Sequence, residues 1–173
     1  MAKIIYKEGF KDQNKLKYIE GIEIELFNKQ KVLIYPKYSE ERLLESIYIP
    51  DCDIEADTEI NALKRRNNNV ATSNFYHFNS PAAKFVRQFR SVIFDKFNLP
   101  TLLAAMEIQD QKEDIDKLAK TIEGADLLRD LDDDIWSCSR YNENLGWVAV
   151  SNFGFADKDY LQGRALVVPT ILY

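Results

Sequence analysis

Ser137, Cys138 and Ser139 occupy consecutive positions between Trp136 and Tyr141, and a run of hydroxyls around a thiol is the first place to look for a nucleophile. A serine nucleophile needs a base within hydrogen-bond reach. The single histidine, His77, lies far up the chain in Phe75-Tyr76-His77-Phe78, and no Gly-x-Ser-x-Gly elbow is present. The two serines are therefore read as satisfying backbone groups along a strand. His77 is read as packed among aromatics or placed at a loop surface. Cys138 reads as a small buried residue, not a reactive thiol. The only other cysteine is Cys52, and two cysteines do not make a disulfide framework. With one histidine and no Cys-x-x-Cys, the chain cannot build a tetrahedral Cys/His zinc site by itself.

Two further groups carry chemistry. Asp130, Asp132, Asp133 and Asp134 form an acidic knot whose oxygens have the hardness calcium prefers, but the spacing is not that of an EF-hand. It is read as a solvated turn. Trp136 and Trp147 are the only tryptophans. Their functional reading is stacking on a sugar ring or anchoring a partner. Their structural reading is core packing, with each indole N–H bonded to a nearby carbonyl. Core packing is the expectation for both, although Trp147 begins a strand and could be half exposed. No catalytic residue, metal or cofactor is expected.

The elements that must position these groups are bounded by composition. A length of 173 residues fits one domain, and 46% hydrophobic and 12% aromatic residues are enough for a core. The net charge of -5 argues against nucleic acid, which needs a concentrated basic surface. The one basic cluster, Lys64-Arg65-Arg66, runs into Asn67-Asn68-Asn69 and reads as an exposed loop. No apolar run approaches a membrane span, and the N-terminal residues lack the h-region of a signal peptide. A cytoplasmic or virion-associated location is expected.

Ile22, Ile24 and Leu26 alternate with Glu23 and Glu25, and Val32 to Tyr35 is a short apolar run, so the two predict an N-terminal hairpin. Residues 41–47 read as a helical turn or two, and 67–74 as a polar loop. Ser80-Pro81 is a helix start, and Ala82, Phe85, Val86, Phe89, Val92 and Ile93 predict one buried helical face over 81–97. Leu99-Pro100-Thr101 opens a second helical region, bent or split near residues 109–113, with Gly124 as its C-cap. Short strands are expected around 135–139, 146–151 and 164–172, with 152–163 as a loop. The order is α+β.

The second half of the chain also carries a family likeness. Pro81-Ala82-Ala83-Lys84-Phe85, Leu99-Pro100-Thr101-Leu102, Ile115-Asp116-Lys117-Leu118, Trp136-Ser137-Cys138-Ser139-Arg140-Tyr141, Trp147-Val148-Ala149-Val150-Ser151-Asn152-Phe153-Gly154 and Leu166-Val167-Val168-Pro169 occur in that order. Together they resemble the C-type-lectin-like domains of unknown function found in gut bacteria and phages. That group includes relatives of the formylglycine-generating-enzyme fold and of the variable proteins of diversity-generating retroelements. Arg140 and Val168 depart from it, standing where the family has Glu and Arg. The likeness covers 81–173; residues before 74 are assigned to the same single domain, 1–173, by size. It implies a C-type-lectin-like fold with an N-terminal hairpin, two core helices and a small twisted antiparallel sheet in the C-terminal third.

The calcium-dependent sugar motifs of the lectins, Glu-Pro-Asn or Gln-Pro-Asp with Trp-Asn-Asp, are absent. The copper chemistry of the formylglycine-generating enzymes uses a close cysteine pair, which Cys52 and Cys138 are not. In the retroelement-diversified relatives the last strands and loops face the ligand. Mapped here, that face is Tyr141, Asn142, Asn144, Trp147, Asn152, Asp157, Tyr160 and Arg164. Tyr gives a rigid amphipathic contact and Asn an adaptable one; an ordinary polar loop would have the same composition. The resemblance implies a non-catalytic module that recognises a cell-surface glycan or protein, or a structural protein of a phage particle that meets its other subunits. Neither nucleic acid nor membrane is an expected partner.

Overall fold

A computed structural model describes residues 2–44, 56, 58–130, 133–151 and 155–173. Its strands are β1 (Lys3–Tyr6), β2 (Ile19–Glu25), β3 (Lys31–Ile34), β4 (Ser39–Arg42), β5 (Arg90–Ser91), β6 (Asp95–Lys96), β7 (Ile135–Arg140), β8 (Leu145–Ala149), β9 (Ala156–Tyr160), β10 (Arg164–Val167) and β11 (Thr170–Leu172). Its helices are α1 (Glu59–Lys64), α2 (Asn69–His77), α3 (Pro81–Val86), α4 (Leu102–Asp110) and α5 (Lys112–Ala119). The fold is α+β.

The expected N-terminal hairpin forms: β2 and β3 pair antiparallel, with Ile22 opposite Ile34 and Ile24 opposite Val32. It does not stand alone. β1 adds to one side and the C-terminal β11 to the other, giving a four-stranded sheet of order β1-β2-β3-β11. A second sheet has order β4-β10-β7-β8-β9. It departs from the expected C-terminal antiparallel sheet in two ways. β4 comes from the N-terminal half, and β10 runs parallel to β7. The sheets exchange strands at Val168-Pro169. Proline has no N–H for a ladder, so β10 stops there and the chain re-enters the first sheet as β11.

α4 lies between the sheets. Its Ala104, Ala105 and Ile108 share one core with Ile24 and Val32 of the first sheet and Ile135, Ala149 and Leu166 of the second. Small residues on this face let the helix approach both. Thr101 caps it, its Oγ1 accepting from the Ala104 N–H at 3.3 Å. The helical region is split, as expected, with Gln111 joining α4 to α5. Gly124 does not cap α5, which ends at Ala119 with Lys120 as its C-cap; it sits at φ 90° in the turn that follows. A second core, against the other face of the second sheet, holds Trp136, Cys138, Val148, Leu161 and Val167 under Phe75 of α2 and Ala82, Ala83 and Val86 of α3.

Four local expectations are corrected. The helix from Pro81 stops at Val86, well short of residue 97. Ser91 Oγ accepts from the Ile93 and Phe94 amides at 3.1 and 3.0 Å and closes a tight turn, so 90–96 is the β5–β6 hairpin and Val92 and Ile93 stand exposed at its tip. β-Branched residues gain little from helix, and this turn offers their amides partners. Residues 69–77 are helix, not polar loop. Ala71, Thr72 and Phe75 bury one face, and Asn67 Oδ1 accepts from the Asn69 amide at 2.8 Å to start it. Residues 39–42 form an edge strand where 41–47 read as helical; 45–47 lie outside the described residues. Residues 156–160 form β9, although 152–163 read as loop. Its Asp157-Lys158-Asp159 has no apolar alternation to signal a strand, because an edge strand is protected by charge.

Candidate functional site

The expected ligand-facing set gathers only in part. The β7–β8 turn is built by its own asparagine: Asn142 Oδ1 accepts from the Asn144 and Leu145 amides, both at 2.9 Å. That side chain serves the turn. The Asn144 carbonyl accepts from the Leu161 amide at 2.9 Å, and the Leu161 carbonyl from the Leu44 amide at 3.0 Å, so the turn is tied to the chain leaving β9 and the chain leaving β4. Trp147 is 5% exposed, and its indole N–H donates to the Ala56 carbonyl at 2.8 Å. It is not half exposed and presents no face for a sugar. Tyr141 meets it edge to face, with ring centroids 5.5 Å apart.

In the β8–β9 ladder Trp147 stands opposite Lys158 and Leu145 opposite Tyr160, so these four side chains share one face of the sheet. The Lys158 ammonium lies 4.6 Å from the Tyr141 ring centre and 5.6 Å from that of Trp147. Such a cation over two rings is attracted by their negative faces. Tyr160 is 66% exposed and Phe155, just before β9, is 49% exposed. Asp157 is exposed on the opposite face of the same strand, and Arg164 is exposed at the start of β10, opposite Arg42. Asn152 lies outside the described residues. The structure thus brings Tyr141, Trp147 and Tyr160 to one face, with Asn142 and Asn144 in the adjoining turn. Lys158 and Phe155 were missed, because a lysine among aspartates carries no aromatic signal until the ladder sets it over the rings.

The residues weighed for catalysis are placed as follows. Ser137, Cys138 and Ser139 are fully buried. Ser137 Oγ accepts from the Ser139 amide at 3.2 Å. Burial pushes the Cys138 thiol up to about 12, so it stays protonated and unreactive. His77 is exposed at the end of α2, its ring edge-on to Phe78 at 5.4 Å. Asp134 Oδ1 accepts from the Ser151 amide at 2.9 Å. Among the described residues, no three His, Cys, Asp or Glu side chains converge as a metal site. Cys52 and Asp132 lie outside them.

A second feature has no counterpart in the sequence reading. A cleft of about 430 Å³ opens between the start of α2 and the β5–β6 hairpin, walled by Arg66, Asn69, Arg87, Lys96 and Asn98. Its basic residues come from three separated stretches. Arg66 belongs to the basic cluster read as loop, and Arg87 follows directly on α3. Neither position announces the other.

Comparison of the chain with protein-family models, curated proteins and solved structures finds no match.

Proposed function

We propose that the protein is a non-catalytic recognition module of C-type-lectin-like fold that meets a cell-surface glycan or protein through the β8–β9 face. The observation that carries this reading is the exposed pair Lys158 and Tyr160 on one face of an edge strand, with the exposed Phe155 just before it, backed by the buried Trp147 and the edge-on Tyr141. A binding surface needs contact groups held in place by packing beneath them. Here the indole is locked by its bond to Ala56, and the lysine is set over the rings. The likeness over 81–173 supports the fold assignment, and the full burial of Ser137, Cys138 and Ser139 supports a role in binding over one in nucleophilic chemistry at that strand.

The test is binding of the labelled protein to a glycan panel and to intact bacterial cells, with and without EDTA, beside Tyr160→Ala and Lys158→Ala. Both substitutions are on the surface and should leave the fold intact. Saturable binding weakened about tenfold in either variant is the expected result. Binding that both variants retain would place the contact elsewhere, and EDTA sensitivity would bring back the calcium reading of residues 130–134.

An assembly role in a particle is favoured by a different observation. Val92 and Ile93 are 81% and 61% exposed at the tip of the β5–β6 hairpin, and the tip is braced by the buried Glu20, whose Oε2 accepts from the Val92 amide at 2.9 Å. Exposed apolar side chains on a braced tip fit a subunit contact. A stable oligomer in solution that Val92→Asp dissociates would decide for this reading.

A further inference from the structure

The cleft at the start of α2 is unexplained by either role, and four observations define what it can hold. The first is size: about 430 Å³ lies within the range of small-molecule sites. The second is charge. Among the described residues, Arg66, Arg87 and Lys96 have no carboxylate partner, and the one acid in the wall, Asp95, pairs with Arg90 at 3.2 Å. Cations gathered without counter-charge on a chain of net charge -5 repel one another and gain nothing for the fold. Half-burial, with Arg90 nearby, pushes Arg87 below its ordinary value, an effect that the neighbouring charge of Asp95 offsets only in part.

The third observation is preorganisation. One guanidinium nitrogen of Arg87, Nη2, donates to the Asn69 carbonyl at 3.2 Å, to Asn69 Oδ1 at 3.0 Å and to Ser73 Oγ at 2.8 Å. The side chain is clamped, and its Nη1 and Nε carry no partner among the described residues. Planar donors held in this way suit an oxyanion.

The fourth is an unfilled acceptor. Asn98, 5% exposed, lines the cleft and its Oδ1 is buried with no hydrogen-bond partner. Its position is fixed: its backbone pairs with Thr170 by two bonds of 2.8 Å, and its Nδ2 donates to the Lys96 carbonyl at 3.1 Å. Beneath it, Asn68 Nδ2 donates to the Leu99 carbonyl at 2.7 Å, and Thr72 Oγ1 accepts from the Leu99 amide at 3.0 Å. A buried unpaired acceptor costs free energy unless a donor arrives.

We propose that this cleft binds a small hydroxylated oxyanion, a sugar phosphate or sugar carboxylate, with Arg66, Arg87 and Lys96 on the anionic group and Asn98 Oδ1 accepting from a hydroxyl. The site is independent of the β8–β9 face.

The test uses the full chain in low-salt buffer, titrated with glucose 6-phosphate, glucuronate, inorganic phosphate and glucose, and followed by calorimetry and amide chemical shifts. Saturable binding of glucose 6-phosphate or glucuronate is expected, with shifts at residues 66–69, 87 and 96–98, and the stronger of the two identifies the source of the anion. Glucose should not bind, and added salt should weaken the complex. The double variant Arg66→Gln/Lys96→Gln should lower affinity at least about tenfold with an unchanged melting temperature. Asn98→Ala should bring the sugar anion down to the affinity of inorganic phosphate. Three results would overturn the proposal: no binding at about 10 mM ligand, binding that the double variant retains, or shifts confined to other parts of the chain.

Discussion

Trp136→Phe tests how the second sheet is held together. The indole is fully buried on β7 and its N–H donates to the Glu41 carbonyl of β4 at 2.8 Å. β10 lies between those strands, so this bond reaches past the intervening strand to the edge of the sheet. Phenylalanine keeps the ring position but removes the bond, worth about 1 kcal/mol net. It also removes two buried carbons, about 0.8 kcal/mol each. A residual cavity adds to this at about 24 cal/mol per Å³. The sum is about 3 kcal/mol, which for a chain of this size lowers the Tm by about 6 to 12 °C. Thermal and urea unfolding followed by circular dichroism measure it, and hydrogen exchange locates it. Protection should fall first in β4, which is otherwise paired only to β10. A loss under about 1 kcal/mol, or uniform exchange across the sheet, would refute the reasoning that the indole clamps this edge.

Gly21→Ala is expected to destabilise by about 1 to 3 kcal/mol or prevent folding, since a Cβ there would lie 2.5 Å from the Ile34 carbonyl oxygen and 3.0 Å from Leu33 Cδ1; denaturant titration reads it. At Glu23, burial works against the charge, but hydrogen bonds from Tyr173 and Lys3 and the ammonium groups of Lys3 and Lys31 outweigh it and hold the carboxyl below its usual range. A depressed native pKa contributes stability that is present above the unfolded-state pKa and lost as pH falls through the native one. Glu23→Gln should therefore lower the Tm at neutral pH, with the gap to the parent closing as pH is taken from about 5 towards 2; a gap constant with pH would remove the ionic explanation. Cys138 should resist iodoacetamide in the folded protein at mildly alkaline pH and react fully in denaturant, as mass spectrometry of the labelled peptide can show; labelling without unfolding would contradict its burial.

Legibility followed the strength of local pattern. Ile22, Ile24 and Leu26 announced β2, and Thr101 announced α4, because alternation and capping are properties of neighbouring residues. The run 82–93 misled, since Phe85, Val86 and Phe89 keep a helical period while Ser91 has already turned the chain. Phe89 packs on Tyr35, and Val92 and Ile93 reach solvent. α2 was hidden by its asparagines, whose polarity masked the buried Ala71, Thr72 and Phe75. β9 was hidden because an edge strand needs little apolar surface.

What the sequence by itself determined is the α+β class, the N-terminal hairpin and the split helical region, together with the core packing expected of both tryptophans. Each rests on residues close in the chain or on the mere presence or absence of a residue type. Only the tertiary structure decided that β11 returns to the first sheet, that β4 joins the second, that Lys158 lies over Tyr141, and that Arg66, Arg87, Lys96 and Asn98 wall one cleft. Those meetings depend on which strand pairs with which. Pairing is settled by burying the two faces of α4 and the second sheet at once, a condition no local stretch of residues contains.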